Sequence, residues 1–319
     1  MTAEETPTVH LRPGRDAGSL GTRREFSGRL HRAAPFILPA PAAITIALLC
    51  AFPAVYTLYM SFQAWTGSQI RPPEFVGLLN YLEAFRGDER FQAAIWRTLL
   101  YTVGSLALQL PLGVALAVFF NREFLGKGLV RTLFLLPFVA TPAAIALVWV
   151  LIYNPATGVL NYLLGLVHLP AGQWTYGADS ALWALVIVDT WQHTPLVMLI
   201  ALAGLAALPQ DPYESAQIDG ANPWQSFWHI TLPLLRPTVA VAALFRAIDA
   251  LKAFDVIYAM TQGGPGEATE TLNIYIYLAA FQYFRFGYSS SLLMLFFTLI
   301  LAVCLLIIKG RRQAGGVRG

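Results

Sequence analysis

The chain has 319 residues, of which 56% are hydrophobic and only 12% charged. Soluble domains carry about 25% charged residues, so the composition is that of a membrane protein. The net charge of +3 is too small to suggest a nucleic-acid partner. No metal-ligand cluster and no G-x-x-x-x-G-K-[ST] loop occurs, so the chain is not expected to bind ATP through a P-loop. Cys50 and Cys304 fall in apolar runs and read as small buried hydrophobes, not as a disulfide or metal pair.

Residues 1–32 are rich in Arg, Gly and Thr without apolar periodicity, which predicts a disordered basic tail. No small-residue cleavage site follows the first apolar run, so that run is not read as a removable signal. Six apolar spans follow, approximately 35–62, 96–120, 131–153, 181–206, 238–261 and 289–309. Each is near the ~20 residues needed to cross hydrocarbon. Together they define a membrane domain over 33–312, with a short tail over 313–319. Pro53, Pro111, Pro137, Pro142 and Pro195 lie inside the spans and predict kinked helices whose neighbours satisfy the freed backbone groups.

Lys and Arg are unevenly shared between the two faces. One face holds Arg12, Arg15, Arg23, Arg24, Arg29, Arg32, Arg122, Lys127, Arg131, Arg236, Lys309, Arg311, Arg312 and Arg318; the other holds Arg71, Arg86, Arg90 and Arg285. The positive-inside rule then places both termini in the cytoplasm. On the outer side, residues 74–95 suit a short interfacial helix. The aromatic residues of 154–179 and 263–288 suit headgroup-level belts.

The fourth span contains Asp189-Thr190-Trp191-Gln192-His193-Thr194-Pro195. Counted from the span end, Asp189 lies ~14 Å deep. The fifth span carries Arg246, Asp249, Lys252 and Asp255, three residues apart with alternating sign. That spacing predicts one helix face on which each cation pairs with an acid above or below. Ionisable residues inside spans face a protein interior or a water-filled cavity. Such a surface suits a sugar, with Trp191 and Tyr258 for stacking and Asp189, Gln192, Arg246 and Asp249 for hydroxyls. The same residues also suit helix-to-helix locks, and His193 beside Pro195 suits either role. A proton relay through Asp189, His193 and Asp249 is a further reading, that of a secondary transporter.

Between these spans lies 209–237, PQDPYESAQIDGANPWQSFWHITLPLLRP. Asp211-Pro212-Tyr213-Glu214 and Asn222-Pro223-Trp224-Gln225 each have the form of a capping box with Pro at the first helical position. Gly220 between them suits a left-handed helix end. The pattern predicts two short helices at a sharp corner, with Trp224, Phe227 and Trp228 packing the second onto the bundle.

This loop resembles the EAA loop of ABC importer permeases. The matching residues are Glu214-Ser215-Ala216, Asp219-Gly220-Ala221, Phe227, Ile230 and Leu232-Pro233, with Ser215 in place of the first Ala. Phe254-Asp255-Val256-Ile257-Tyr258 and Thr261-Gln262-Gly263-Gly264-Pro265 resemble the carbohydrate-uptake, maltose-permease-like branch. The resemblance covers roughly 35–309. It implies an all-α integral membrane protein, with six transmembrane helices of the type I (MetI-like) permease fold and a cytoplasmic coupling helix. It implies a transport subunit without enzymatic activity in a bacterial or archaeal plasma membrane. The expected partners are a second homologous permease, two ATPase subunits that carry ATP and Mg, a solute-binding protein outside, and membrane lipid. Glu214, Ser215, Ala216, Asp219, Gly220 and Ala221 would then contact the ATPase. The family's sugar contacts match Trp191, Gln192, His193, Arg246, Asp249, Ala250 and Ala253. Another solute, such as glycerol phosphate, a polyamine or an amino acid, is the alternative cargo.

Overall fold

The computed structural model describes residues 39–315 apart from positions 69 and 71, with side chains to Lys309. The tail expected over 1–32 lies outside the described residues. The chain forms two compact units, one ending at Tyr56 and one from Thr57 onward. The described part of the first unit lies almost wholly in helix α1 (Ala40–Met60), which is long and apolar enough to cross a bilayer.

In the second unit a two-stranded antiparallel ribbon pairs β1 (Gln63–Ala64) with β2 (Glu74–Phe75). This ribbon is a small departure from the all-α class expected. Helix α2 (Leu79–Arg86) is the short helix expected on the outer face, and Asn80 ties it to the ribbon through bonds of 2.9 Å to the Ser61 and Gln63 carbonyls.

Helix α3 (Glu89–Asn121) starts earlier than residue 96, because Asp88 caps it. Its carboxylate accepts from the Phe91 backbone N–H at 2.9 Å and from the hydroxyls of Tyr275 and Tyr288. A capping acid satisfies an otherwise orphaned helix donor, and the charged cap extends the helix past the apolar span.

The third expected span is two helices, α4 (Lys127–Val139) and α5 (Pro142–Ile152), meeting at 97°. The cause is local. Thr141 precedes a proline and is extended (φ −66°, ψ 138°), the conformation a following proline favours. Next come α6 (Val159–Leu166) and α7 (Ala178–Ala206). The loop 209–237 holds α8 (Asp211–Ile218) and α9 (Pro223–Ser226), which lead into α10 (Leu232–Leu251). Last come α11 (Asp255–Thr261), α12 (Leu272–Phe281) and α13 (Phe286–Gly315).

Among the described residues α1, α3, α7 and Phe286–Lys309 are long and apolar enough to cross a bilayer, and α4 with α5 forms a fifth, broken candidate. Four of the six expected spans thus appear as single long apolar helices and the third as a bent pair. The fifth expected span stops at Leu251 and restarts at Asp255. The Asn273 side chain holds the break from outside, donating to the Lys252 carbonyl at 2.8 Å, and Phe254 stacks locally on Tyr258 at 5.2 Å.

The core centres on α3 against α7. A Cβ on Gly113 would lie 2.6 Å from Val197 Cβ, so the two backbones meet closely there. Cys50 is exposed and Cys304 half-buried, contrary to the expectation of buried thiols. Residues of an apolar span can face lipid as well as a protein core.

Candidate functional site

Two constellations emerge, one in the loop 209–237 and one between α3, α7 and α10.

In the loop, α8 ends as the sequence suggests. Gly220 has φ +78°. Its N–H donates to the Gln217 carbonyl at 3.1 Å, and the Ala221 N–H donates to the Ala216 carbonyl at 2.9 Å. These two bonds make a Schellman motif, which needs a left-handed residue at the turn. Nothing lies within 4 Å of a Cβ built on Gly220, so the requirement is conformational rather than steric. Glu214, Ser215 and Asp219 are exposed, Ala216 and Ala221 half-buried. Ile218 is 88% exposed, an apolar side chain left bare at the tip of the loop.

The capping box expected at Asp211 does not form. The helix begins one residue earlier, with Gln210 as cap and no side-chain bond. The Gln210 carbonyl accepts from the Glu214 N–H at 3.1 Å, which brings Asp211 inside the first turn. The box at Asn222 does form: Asn222 Oδ1 accepts from the Gln225 N–H and Gln225 Oε1 from the Asn222 N–H, both at 2.9 Å.

The second helix is not short, as was expected. It runs through a π turn, Phe227–Thr231, straight into α10. Tyr213 Oη donates to Thr231 Oγ1 at 3.0 Å, tying α8 to that turn. Phe227 packs inward, whereas Trp224 and Trp228 are 69% and 48% exposed. These two correct the expectation that all three aromatics pack the helix onto the bundle.

In the second constellation, Arg246 is fully buried and Asp189 nearly so. Arg246 Nη2 donates to Asp189 Oδ2 at 3.0 Å. Gln109 closes a triangle: its Nε2 donates to Asp189 Oδ2 at 2.7 Å and its Oε1 accepts from Arg246 Nε at 2.8 Å. His193 Nδ1 lies 2.9 Å from Asp189 Oδ1. A buried ion pair persists when hydrogen bonds satisfy its remaining polar atoms, and α3, α7 and α10 each contribute one member of this triangle. Gln109 was not singled out in the sequence. Its only signal there is a lone amide in an apolar run.

The charge ladder expected along 246–255 is interrupted. Arg246 Nη1 reaches Asp249 at 3.5 Å. Lys252, however, is the last cap of α10 and Asp255 the first residue of α11, so the remaining rungs do not share a helix face.

A cavity of about 250 Å³ opens beside the triangle, and Asp189, Gln192, His193, Arg246, Asp249 and Ala253 all line it. Gln192 is 2% exposed, and its Oε1 has no hydrogen-bond partner. A buried acceptor left unpaired is costly, so this oxygen is a ready receiver for a hydroxyl. Asp249 and His193 are partly exposed at the same cavity. Two expected residues are elsewhere. Ala250 is packed in the apolar core with Tyr101 and Leu185. Trp191 faces a separate apolar cavity of about 770 Å³ with Leu108, Phe134 and Thr194, and sets its ring edge-on to Trp149. Adjacent helix residues point 100° apart, which separates Trp191 from Gln192.

The chain as a whole is similar to known proteins. Residues 109–311 match the family described as binding-protein-dependent transport system inner membrane component. The chain is 40% identical to the probable ABC transporter permease protein y4oQ of Sinorhizobium fredii, over 90% of this chain and 92% of that protein. It is 35% identical to the trehalose/maltose transport system permease protein MalF of Thermococcus litoralis, over 86% and 92%. Its fold matches a chain of the bacterial alginate ABC transporter solved with an alginate pentasaccharide-bound periplasmic protein. The TM-score is 0.76 and the identity 23%, covering 90% of this chain and 96% of that one. This chain belongs to the family of binding-protein-dependent transport system inner membrane components, the multi-pass permease subunits of ABC transporters.

Proposed function

We propose that the chain carries a sugar or oligosaccharide inward, as one of two permeases in an ATP-driven importer with a solute-binding protein outside. The observation that carries this reading is mechanical continuity. A capped rod starts at Asn222 in the EAA loop, passes the π turn without a break and delivers Arg246 and Asp249 to the polar cavity. At 1.5 Å per residue it spans about 35 Å. A push on the loop therefore reaches the cavity through one element.

Exposed Glu214, Ser215, Asp219 and Ile218, with Ala216, Gly220 and Ala221, form the docking face for an ATPase pair. ATP and Mg bind to that pair, not to this chain. Both termini and the loop lie in the cytoplasm of a bacterial or archaeal plasma membrane, in keeping with the Lys and Arg bias. Nucleotide shifts the population between inward-open and outward-open states by binding one of them more tightly.

Within the cavity, Gln192, His193 and Asp249 meet sugar hydroxyls, and Ala253 leaves room for the ring. Asp189 and Arg246 hold the three helices around them. The relatives that transport trehalose, maltose and alginate support a carbohydrate over a polyamine or an amino acid. A proton relay is disfavoured because Arg246 and Gln109 occupy the carboxylate a relay needs free. The test is uptake of labelled di- and oligosaccharides by vesicles that contain the assembled transporter. Uptake that needs ATP and the binding protein and survives collapse of the proton gradient supports the reading. Uptake abolished by that collapse with ATP present contradicts it.

A further inference from the structure

A groove of about 680 Å³ opens on the loop side of α3. One wall is Leu110, Val114 and Val118, four residues apart and so on one helix face. The opposite wall is formed by Trp224, Trp228 and Leu232. Arg122, just past the end of α3, also lines it. Arg122 is exposed and joins no ion pair among the described residues.

The dimensions are those of one membrane leaflet. From Leu110 to Arg122 the helix rises ~18 Å, and half of a ~30 Å hydrocarbon core is ~15 Å. The apolar wall thus runs from mid-bilayer to the headgroup level, where Arg122 stands. Exposed Trp side chains favour that same level, and Trp224 and Trp228 are the most exposed aromatics of the loop. An apolar trench of leaflet depth with an unpaired cation at its headgroup end complements an acyl chain joined to an anionic phosphate group.

We propose that this groove holds a glycerophospholipid with an anionic headgroup. The headgroup phosphate lies against the Arg122 guanidinium, and one acyl chain lies between α3 and the Trp224–Trp228 wall. The lipid then braces the base of the rod that carries the coupling loop. A purely apolar protein segment packed on the same wall would leave the cation without a counter-charge.

The assembled transporter, purified in mild detergent, is titrated with phosphatidylglycerol or phosphatidylcholine and examined by native mass spectrometry. The wild type retains phosphatidylglycerol in preference. Arg122→Gln reduces that preference about fivefold, the effect of one surface cation on an anionic lipid. Ala115→Trp, at an exposed position lining the groove, fills it and reduces retention of both lipids. Intact subunit masses in the same spectra show that the variants assemble. Equal retention of phosphatidylglycerol by all three proteins overturns the proposal. A photo-crosslinker at position 115 that captures another protein chain rather than lipid also overturns it.

Discussion

At the residue scale, the sharpest distinction lies between groups that hold the helices and groups free to meet a solute. Asp189, Arg246 and Gln109 satisfy one another. Removing one member of a buried pair leaves an uncompensated charge, at about 3–5 kcal/mol. Replacing both by apolar residues is far milder. Arg246→Met alone is therefore expected to lower the melting temperature of the detergent-solubilised protein sharply. Asp189→Leu/Arg246→Met together should recover most of that loss. A double variant no more stable than the single one would show that the pair does not hold the fold. Gln192 behaves differently, because its Oε1 is unpaired before any solute arrives. Gln192→Leu should raise the KM for sugar uptake about tenfold, the worth of one hydrogen bond, with membrane protein levels unchanged. Trp191→Ala, on the far side of α7, should leave that KM within twofold; a loss of affinity as large as that of Gln192→Leu would put Trp191 back in the site.

At the element scale, the coupling loop is a stiff corner between α8 and a long rod. Its stiffness rests on two local devices, the left-handed Gly220 and the Asn222 box. A β-branched side chain at φ +78° costs roughly 1–2 kcal/mol, and loss of an N-cap about 1 kcal/mol. Gly220→Val and Asn222→Ala should thus weaken ATP-driven uptake while binding-protein docking outside is kept. Uptake at wild-type rates by both would remove the corner from the coupling path. The crossing of α3 and α7 sets a second constraint. Gly113→Leu drives a side chain into Val197 and should cost about 1–3 kcal/mol, read as reduced thermal stability.

These devices also mark how far the sequence could be read. Gly220 and Asn222-Pro223-Trp224-Gln225 act through bonds within six residues, so their pattern is local and visible. Asp211 looked equivalent, yet the Gln210 carbonyl started the helix first. The break at Lys252–Phe254 was hidden because Asn273, 21 residues on, braces it through the Lys252 carbonyl, while the three-residue charge spacing suggested a continuous helix. Gln109 pairs with residues 80 and 137 positions away, and no periodicity reports such a partnership. Four of the spans were legible from hydropathy, but the 97° bend depended on a pre-proline conformation at one residue.

At the scale of the whole molecule, this permease domain has no phosphate-binding loop and exposes a corner shaped to receive a push. Its polar cavity is small and is lined from α3, α5, α7, α10 and α11. A transport path of sugar width needs a second set of walls, and the family to which the chain belongs works with a binding protein. On this reading the chain works only as the membrane part of an ATP-driven assembly. The most direct test is its isolation from native membranes in mild detergent, with every co-purifying chain identified. A second multi-span permease and a P-loop ATPase are expected in stoichiometric amounts, with the ATPase lost when Gly220 is replaced by a bulky residue. A lone chain or a simple homo-oligomer, found in several detergents, would contradict this reading.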